Sequence, residues 1–268
     1  MNDSATAAKT PASADPADIG KLLADIVEEA SALIMPFWRA QVAVDHKADE
    51  SPVTEADHAA EALILKRLAA QFPRIPVIAE EEVARDGAPA TAAKSFFLVD
   101  PLDGTKGFLR GTEAFTVNIG LVENGKPVAG AVAAPASGLV WFTAEGGAYK
   151  RKFGETTARP IKARQKPQGG GLALLSHTVA EDEANRIAAK YGCKDWRGMD
   201  SSVKFCLIAE GSADVYPRPG RTMEWDTAAG QAVLEAAGGR VITEAGETLG
   251  YGKAERGFDN PGFLAIGG

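Results

Sequence analysis

Cysteine is scarce in this chain of 268 residues, which contains only Cys193 and Cys206. The two lie thirteen positions apart and belong to no CxxC pair or Cys/His cluster, so the sequence indicates neither a disulfide framework nor a thiolate metal site. We expect two reduced, packed thiols in a cytoplasmic protein.

Long apolar runs are also missing. The longest uncharged stretch, residues 127–144, is interrupted by Gly130, Pro135 and Gly138, which is typical of paired strands and not of a transmembrane segment. Residues 1–17 have neither the cationic beginning nor the apolar core of a secretory signal, and their small and polar side chains predict a flexible tail outside the fold.

Positive charge is in deficit, since 29 Lys and Arg residues stand against 36 Asp and Glu residues and the net charge is −7. This balance disfavours a nucleic-acid polymer as a partner. It allows a small anionic substrate if metal ions bring positive charge to the site. The apolar fraction of 45% is enough for a substantial core at this length, so a globular protein is predicted.

Two helices are predicted in the first part of the chain. Apolar residues recur at helical spacing after Asp18. The stretch SPVTEADHAAEALILKRLAAQF opens with Thr54 and Asp57 at the spacing of a capping box, so the second helix is expected to begin near Thr54. Strand-like runs PVIAEE and FFLVD follow, and then a meander with a turn at Asn124-Gly125.

The second part of the chain alternates strand and helix signals. Strands are predicted at GLALLS, ADVYPR, GRVIT and GFLAIG, and helices at EDEANRIAAKYG, at SSVKFCLIAE and from Asp226 to Ala237. The predicted fold class is therefore α/β (α+β). We expect a single unit at 18–268 with an N-terminal α+β half (about 18–160), a C-terminal α/β half (about 161–268) and the active site between them.

Two carboxylates, Asp100 and Asp103, follow the apolar run FFLV within FFLVDPLDGTKGF. Acids after strands and before glycine are common turn formers, so a structural interpretation is open for this pair alone. Pro101 restricts the chain between them and helps to aim both side chains at one point. Two carboxylates ~4 Å apart repel by about 4 kcal/mol at an effective dielectric of about 20, so their convergence requires protons or cations, and hard oxygen ligands favour magnesium.

A competing interpretation is the aspartyl-phosphate nucleophile motif Asp-x-Asp-Gly-Thr. One residue separates the two acids of that motif, whereas two residues separate Asp100 from Asp103. The extra residue at a strand end swings the second side chain by about half a turn. The sequence therefore disfavours a covalent phospho-enzyme.

Four further acids each have a local explanation. Glu80 and Glu81 in VIAEEEV are typical of a solvated acidic loop. Asp57 belongs to the predicted capping box. Asp226 would stand in the first turn of an Ala-rich helix, where capping and the helix dipole favour an acid. Taken singly, none of them indicates a metal site.

Their order along the chain resembles a known superfamily, the lithium-sensitive, magnesium-dependent phosphomonoesterases related to inositol monophosphatase. That superfamily carries a Glu-Glu segment, an Asp-Pro-(Leu/Ile)-Asp-Gly-Thr loop and a distant Trp-Asp-x-Ala-Ala-Gly helix start, which match Glu80-Glu81, residues 100–105 and residues 225–230. Through SPVTEAD, DPLDGTK, KFCLIAEG and EWDTAAGQAVLEAAGG the chain looks most like the bacterial 3'(2'),5'-bisphosphate nucleotidases of the CysQ type. The resemblance covers nearly the whole chain after the tail and implies a layered αβαβα sandwich of the sugar-phosphatase type.

The resemblance also implies a role for each matched residue. It implies Mg²⁺ as cofactor, two or three ions per site, with one ion held by Glu80, Asp100 and the Leu102 carbonyl and a second by Asp100, Asp103 and Asp226. Asp57 would act through Thr105 as proton acceptor for the attacking water. The implied substrate-binding residues are Glu80, Leu102, Asp103, Gly104, Thr105 and Asp226, among which the amides of Gly104 and Thr105 would donate to phosphate oxygens.

The implied activity is removal of the 3'-phosphate of adenosine 3',5'-bisphosphate to give AMP, with 3'-phosphoadenylyl sulfate as a further candidate substrate. An inositol-phosphate monophosphatase is the alternative enzyme. A non-catalytic metal or nucleotide sensor is the alternative of another class, which Asp57 and Thr105 disfavour because binding alone does not need a water-activating pair. A homodimer and a peripheral position on the inner face of the cell membrane are left open.

Two stretches depart from the pattern of the relatives. Gly107 stands where Glu usually follows the Asp-Gly-Thr-Lys segment, and Ser-His-Thr at 176–178 replaces a more polar, Arg-containing segment. Exposed basic side chains are usually only solvated. The basic residues that could nevertheless contact the second phosphate are Lys47, Lys204, Arg218 and Arg221.

Overall fold

The structure, a computed structural model, describes residues 16–40, 44–47, 52–90 and 92–268. The predicted tail at 1–17 lies outside these ranges except for its last two residues. These already belong to the first helix, which begins at Pro16, two residues before the predicted start at Asp18. Proline suits the first helical turn because its missing N–H would have no intrahelical partner there.

Seven α-helices and sixteen strands are formed by the described residues. The helices are α1 (Pro16–Ile34), α2 (Glu55–Gln71), α3 (Glu80–Asp86), α4 (Thr105–Leu109), α5 (Glu181–Lys190), α6 (Val203–Ala209) and α7 (Ala228–Ala236). The first nine strands are β1 (Val44–His46), β2 (Pro52–Thr54), β3 (Val77–Ala79), β4 (Ser95–Asp103), β5 (Thr116–Glu123), β6 (Lys126–Ala134), β7 (Leu139–Ala144), β8 (Gly147–Lys152) and β9 (Arg159–Ile161). The others are β10 (Gly171–Leu175), β11 (Cys193–Gly198), β12 (Val215–Arg218), β13 (Thr222–Met223), β14 (Arg240–Thr243), β15 (Asp259–Asn260) and β16 (Phe263–Ile266).

The strands form two main sheets and two small ribbons. The larger sheet has the order β3-β4-β5-β6-β7-β8-β9, and all its neighbours are antiparallel except β3 and β4. The smaller has the order β11-β10-β12-β16-β14, with β10 parallel to both of its neighbours. The ribbons pair β1 with β2 and β13 with β15.

The helices and sheets stack in five layers. Helices α1 and α2 cover one face of the large sheet, and α7 packs on its other face. Helices α6 and α7 also contact the small sheet, and α5 lies against β10 and β11. Separate clusters of buried side chains fill the spaces between these layers. The predicted α/β class with a layered αβαβα order is confirmed.

Strand β4 is apolar at successive positions because both of its faces are covered. Phe97 and Val99 pack towards α1 and α2, whereas Phe96 and Leu98 pack into the cluster shared with α6 and α7. Side chains alternate between the faces of a strand, so a continuous apolar run is required where helices lie on both sides. This double burial carries Asp100, at the end of the run, into the interior.

Helix α7 approaches the large sheet unusually closely at two glycines. A Cβ atom at Gly120 would lie 2.8 Å from the Ala229 nitrogen, and one at Gly130 would lie 2.8 Å from the Ala229 carbonyl oxygen. Neither position has room for a side chain. The glycines therefore set the distance between α7 and the sheet, and with it the place of Asp226, which lies two residues before the helix.

Several local predictions need correction. The run PVIAEE is not a strand throughout, because β3 ends at Ala79 and the acids begin α3. Strand β11 and helix α4 were not predicted. The helix predicted from Asp226 to Ala237 is shorter in the structure, where a 3₁₀ turn at Glu224–Asp226 precedes α7 at Ala228–Ala236. The division at about 160 stays a prediction; strand β9, which ends at Ile161, still belongs to the large sheet.

Other predictions are confirmed. Helix α2 is preceded by Thr54 with both halves of the predicted capping box. The turn residues Asn124 and Gly125 both have positive φ, 50° and 77°, as a tight hairpin requires. Cys193 and Cys206 are buried and form no disulfide. Among the helices of the described ranges, none is long and apolar enough to cross a membrane.

Candidate active site

The end of β4 and the start of α4 form a corner that holds the residues of the DPLDGT segment. Asp100 is only 1% exposed, and its Oδ1 atom accepts a hydrogen bond from the Leu102 amide at 3.0 Å. Gly104 turns the chain into α4 with φ 95°, a conformation that other residues rarely adopt. A Cβ there would also lie 2.9 Å from the Ala114 carbonyl oxygen. Only glycine fits at this corner.

Each of the other two aspartates is held by a backbone amide on one oxygen. The Oδ2 atom of Asp103 accepts from the Ser202 amide at 2.5 Å and from the Thr116 hydroxyl at 3.4 Å. The Oδ2 atom of Asp226 accepts from the Met223 amide at 2.8 Å. Within the described part of the chain, no backbone amide or hydroxyl donates to the Oδ1 atom of either residue or to Oδ2 of Asp100, although the Glu80 side chain contacts the Asp100 carboxyl. One oxygen of Asp103 and one of Asp226 are thus fixed, and the other oxygen of each could bind a ligand.

The electrostatics show that these acids converge. Burial raises the pKa of Asp100 well above its ordinary value, and the charges of Glu80, Asp103 and Asp226 raise it further. Burial also raises the pKa of Asp226, again with help from Asp103 and Glu80. The pKa of Asp103 rises to about 6, because burial outweighs the opposing charge of Lys204. Four carboxylates therefore destabilise one another unless cations or protons are bound.

A divalent cation fits this set by donor type and charge. All the candidate ligands are oxygen atoms, which magnesium prefers. Burial and the repulsion among the acids outweigh the nearby positive charges for Asp100 and Asp226, whose pKa values stay raised. The residues that could hold ions are Glu80, Asp100, Asp103, Asp226 and, through its carbonyl, Leu102. Within the described ranges, however, no group of three or more His, Cys, Asp or Glu side chains already stands in metal-binding geometry. The side chains would have to draw together around an ion.

Glu80 and Glu81 lie at the start of α3 and share one cation, Lys47. The Nζ atom of Lys47 lies 2.6 Å from Glu80 Oε1 and 2.7 Å from Glu81 Oε1. The Glu81 amide donates to Glu61 Oε2 at 2.8 Å. Burial is the largest cause that raises the pKa of Glu61 and of Glu81 to about 7 each. The acidic segment is therefore not the solvated loop that the sequence allowed.

Asp57 takes part both in the capping box of α2 and in the candidate site. Its Oδ2 atom accepts from the Thr54 amide at 2.8 Å and from the Thr54 hydroxyl at 2.7 Å. Its Oδ1 atom lies 3.2 Å from Thr105 Oγ1, which is also 3.0 Å from the Leu102 carbonyl oxygen. A hydroxyl has one proton, so Thr105 donates to one of these acceptors at a time. Burial raises the pKa of Asp57, and the hydrogen bonds from Thr54 oppose that shift.

A cleft of about 490 Å³ opens onto these residues. It brings together three of the acids with the corner residues Gly104 and Thr105. Its remaining wall comes from α4 with Arg110 and from the second half of the chain. Asp57, Asp100 and Leu102 do not line the cleft. A larger cavity of about 890 Å³ lies against α1, β7 and β8 and contains none of the predicted site residues. The predicted site residues that line a cavity are therefore found at the smaller one.

The basic residues predicted near a second phosphate have different surroundings. Lys204 is buried and donates to the Ser201 carbonyl at 2.6 Å, and burial lowers its pKa to about 8. Arg218 lines the cleft, whereas Arg221 does not and pairs with Asp259 at 2.6 Å. Lys47 forms ion pairs with Glu80 and Glu81.

Sequence reasoning missed a further group at the cleft, made of Arg110, His177 and Asp200. The His177 Nδ1 and Asp200 Oδ1 atoms are 2.6 Å apart, and Arg110 Nη2 lies 3.1 Å from His177 Nε2. No local pattern connects these three positions, because each belongs to a different connecting segment. The unusual Gly107 and Ser-His-Thr segment were the available signals.

Comparisons with known proteins agree on one family. The family model described as "Inositol monophosphatase family" matches residues 15–263. The 3'(2'),5'-bisphosphate nucleotidase CysQ of Salmonella typhimurium is 42% identical over 221 residues, which cover 81% of this chain and 86% of that protein. The protein of the same name from Buchnera aphidicola is 38% identical over 247 residues, covering 91% of each.

Solved structures show the same relationship. CysQ from Bacteroides thetaiotaomicron, described as a bacterial member of the inositol monophosphatase family, superposes with a TM-score of 0.74 at 30% identity, covering 94% of this chain and 97% of that one. The Thermotoga maritima IMPase superposes with a TM-score of 0.72 at 24% identity, covering 90% and 89% of the two chains. The second likeness concerns the fold alone.

Proposed function

Because this chain belongs to the inositol monophosphatase family, we propose that it is a magnesium-dependent phosphomonoesterase that removes the 3'-phosphate of adenosine 3',5'-bisphosphate to give AMP. The observation that carries the proposal is the position of Thr105 and Asp57 beside the converging acids Glu80, Asp100, Asp103 and Asp226. The relatives named as 3'(2'),5'-bisphosphate nucleotidases support the nucleotide as substrate. The sulfated nucleotide, 3'-phosphoadenylyl sulfate, is a further substrate under the same proposal.

The acids and the Leu102 carbonyl are the groups that would hold magnesium. When bound, such ions supply Lewis-acid stabilisation of charge on the phosphoryl group and lower the pKa of a bound water. Asp103 and Asp226 are already oriented for this by the amides of Ser202 and Met223. Asp100 lies deepest and is the acid most strongly surrounded by the others.

Thr105 and Asp57 would move a proton away from the attacking water. The hydroxyl of Thr105 can accept from water while it donates to Asp57 Oδ1, 3.2 Å away. Burial raises the pKa of Asp57, which makes this carboxylate a better proton acceptor than an exposed aspartate. The Thr54 cap holds the other oxygen and fixes the direction of the side chain.

The corner at Gly104 would receive the phosphate. The amides of Gly104 and Thr105 belong to the first turn of α4, where the backbone N–H groups have no intrahelical acceptor. Gly104 carries no side chain to block the approach of a phosphate oxygen to these amides. The chain thus offers donors on one side of the phosphate and acids on the other.

A substrate panel tests the proposal. Phosphate release is measured with adenosine 3',5'-bisphosphate, 3'-phosphoadenylyl sulfate and inositol 1-phosphate, each with magnesium and with EDTA. We expect release from the nucleotides to exceed that from inositol 1-phosphate by at least about tenfold in kcat/KM, and EDTA to abolish it. Faster release from inositol 1-phosphate would assign the alternative monophosphatase activity. Binding of AMP with no release from any substrate would assign a sensor.

A further inference from the structure

Arg110, His177 and Asp200 form a hydrogen-bonded group on the wall of the cleft, here called the Arg110 cluster. Asp200 Oδ1 lies 2.6 Å from His177 Nδ1, and Asp200 Oδ2 lies 3.4 Å from Arg110 Nη2. The same Nη2 atom lies 3.1 Å from His177 Nε2. All three side chains line the cleft that holds Asp103, Thr105 and Asp226.

The contacts fix the hydrogen-bonding roles within the Arg110 cluster. An arginine nitrogen only donates, so His177 Nε2 is the acceptor and Nδ1 carries the proton that is donated to Asp200. Both oxygens of Asp200 are then engaged. Arg110 makes both of its contacts through Nη2, so its Nε and Nη1 atoms donate to no other residue in the described ranges. The guanidinium is held in place with donors left over.

The position of Arg110 suits a group at the far end of a substrate. Thr105 is the first residue of α4 and Arg110 directly follows its last residue. Five residues of α-helix span about 7.5 Å, so the backbone of Arg110 lies roughly that far along the helix axis from the phosphate-binding corner. Its side chain is 48% exposed, which leaves it accessible from the cleft.

Gly107 makes room for the Arg110 cluster. A Cβ atom at this position would lie 2.8 Å from Thr112 Oγ1 and 3.5 Å from Asp200 Oδ2. A longer side chain would therefore enter the space that Asp200 occupies. The departure from the family pattern at Gly107 and the Ser-His-Thr segment that supplies His177 are parts of one arrangement.

We propose that Arg110 binds the phosphate that is not hydrolysed, the 5'-phosphate of adenosine 3',5'-bisphosphate, and that His177 and Asp200 are positioning residues for it. The inference rests on the proposed function and names the group that makes a bisphosphate preferable to a monophosphate. A guanidinium binds phosphate through two parallel N–H···O bonds, and prior fixation of its plane lowers the entropy lost on binding. Lys106 and Arg218 line the same cleft and add positive charge to it.

The other basic residues are less suited to this role. Lys204 is buried, and its ammonium donates to the carbonyls of Ser201 and Met199. Arg221 lies outside the cleft lining and pairs with Asp259. Arg218 donates through Nη2 to the Arg221 carbonyl at 3.4 Å, and among the described residues no comparable pair of side chains orients it.

The test compares two nucleotides that differ only in the 5'-phosphate. Kinetics are measured for adenosine 3',5'-bisphosphate and adenosine 3'-monophosphate with the wild-type protein and with Arg110→Gln. For the bisphosphate we expect KM to rise about tenfold or more with kcat within about twofold, because a charged hydrogen bond of this kind is lost. For the monophosphate we expect neither constant to change by more than about twofold.

Three further variants sharpen the comparison. Arg110→Lys keeps the charge without the planar fork and should restore part of the loss. His177→Gln should raise KM for the bisphosphate by a smaller factor and leave kcat unchanged, since it acts only through Arg110. Arg186→Gln removes an exposed arginine of α5 that is likewise paired with an acid, and should change nothing.

The inference and the proposed function can fail separately. Hydrolysis of both nucleotides with equal kcat/KM by the wild-type protein, or equal losses on both by Arg110→Gln, would overturn the role of Arg110 and leave the phosphatase activity standing. If neither nucleotide is hydrolysed, the role of Arg110 is tested by calorimetric measurement of AMP binding in the presence of magnesium. A tenfold weaker AMP affinity in Arg110→Gln supports the role of Arg110, and an unchanged affinity rejects it.

Discussion

At the scale of single residues, a structural role does not argue against a functional one. Asp57 illustrates this, because Oδ2 closes the capping box of α2 while Oδ1 reaches Thr105. The sequence pattern predicted the cap correctly, and the cap is what directs the second oxygen into the site. The same holds for Asp226, whose bond from the Met223 amide forms a turn and leaves Oδ1 for a ligand.

Substitution separates the two tasks of Asp57. In Asp57→Asn the amide oxygen can still accept from the Thr54 backbone, but the side chain can no longer take a proton. We expect turnover to fall about 100-fold or more with a small change in stability. Thr54→Ala should lower the free energy of unfolding by about 1 kcal/mol and reduce activity far less. Steady-state kinetics and urea unfolding of both variants provide the measurement, and similar activity losses in the two would contradict the division.

Asp226 and Thr105 should differ in their dependence on magnesium. Asp226→Asn would remove a charged ligand of the proposed metal site, so the magnesium concentration for half-maximal activity is expected to rise about tenfold or more. The same change relieves repulsion among the acids, so the protein in EDTA should unfold at a higher temperature than the wild type. Thr105→Ala should lower turnover and leave the magnesium midpoint unchanged. An equal shift of the midpoint in both variants would remove the reason for giving them different roles.

At the scale of secondary-structure elements, the site depends on how closely α7 lies against the large sheet. Gly120 and Gly130 leave no space for a side chain beneath Ala229. The helix carries at its start the segment that ends in Asp226, so a displacement of the helix moves an acid of the site. Packing far from the cleft therefore sets the geometry inside it.

A methyl group at Gly130 tests this dependence. Gly130→Ala is expected to lower the free energy of unfolding by about 1–3 kcal/mol through overpacking. It should also raise the magnesium concentration needed for half-maximal activity, because Asp226 is displaced. Gly169→Ala is the matched control, since a Cβ there would meet no atom within 4 Å. Thermal unfolding and magnesium titration check both variants, and a normal magnesium midpoint in a destabilised Gly130→Ala would disprove the link.

The elements that the sequence predicted are those whose pattern is local. Strand β4 shows as an apolar run because both faces are buried, and α2 shows through its cap. Strand β11 escaped prediction because it is a sheet edge in which only Cys193 is buried, so its segment CKDWRG has no apolar alternation. The Arg110 cluster was not predicted either, because its residues are far apart in the sequence. Only the tertiary structure brings the end of α4 beside the segments that follow β10 and β11.

At the scale of the whole molecule, the candidate site and its surroundings contain buried acids whose negative charges destabilise the folded state. Burial is the first cause that raises the pKa of Glu61 and Glu81 to about 7 and that of Asp103 to about 6. These acids come from α2, the start of α3 and the end of β4. The charge of Glu80 raises the pKa of all three further.

The stability of the metal-free protein should therefore depend on pH. Between the ordinary values of these acids and their raised values in the fold, the folded protein binds more protons than the unfolded chain. The free energy of unfolding then falls as the pH rises through about 6 to 7. We expect the protein in EDTA to be more stable at pH 5 than at pH 7.5, as measured by urea unfolding.

Magnesium should weaken or reverse this trend, because it binds the ionised acids of the folded state. The comparison stops at pH 5 because Glu210 and Asp214 have lowered pKa values, and their ion pairs with Lys150 and Arg164 are lost only at lower pH. Stability that increases from pH 5 to pH 7.5 in EDTA would show that the raised acids do not govern the metal-free fold.

Lys47 gives the acidic segment a resident counter-ion, with its ammonium 2.6 Å from one oxygen of Glu80. If Glu80 binds a divalent ion as proposed, the uptake would be an exchange, in which the tethered ammonium of Lys47 leaves as the ion arrives. The tether keeps the competitor at a high local concentration however dilute the solution. The observed affinity for the ion would then be the intrinsic affinity reduced by the free energy of releasing Lys47, so Lys47 would tune metal occupancy without itself binding the ion.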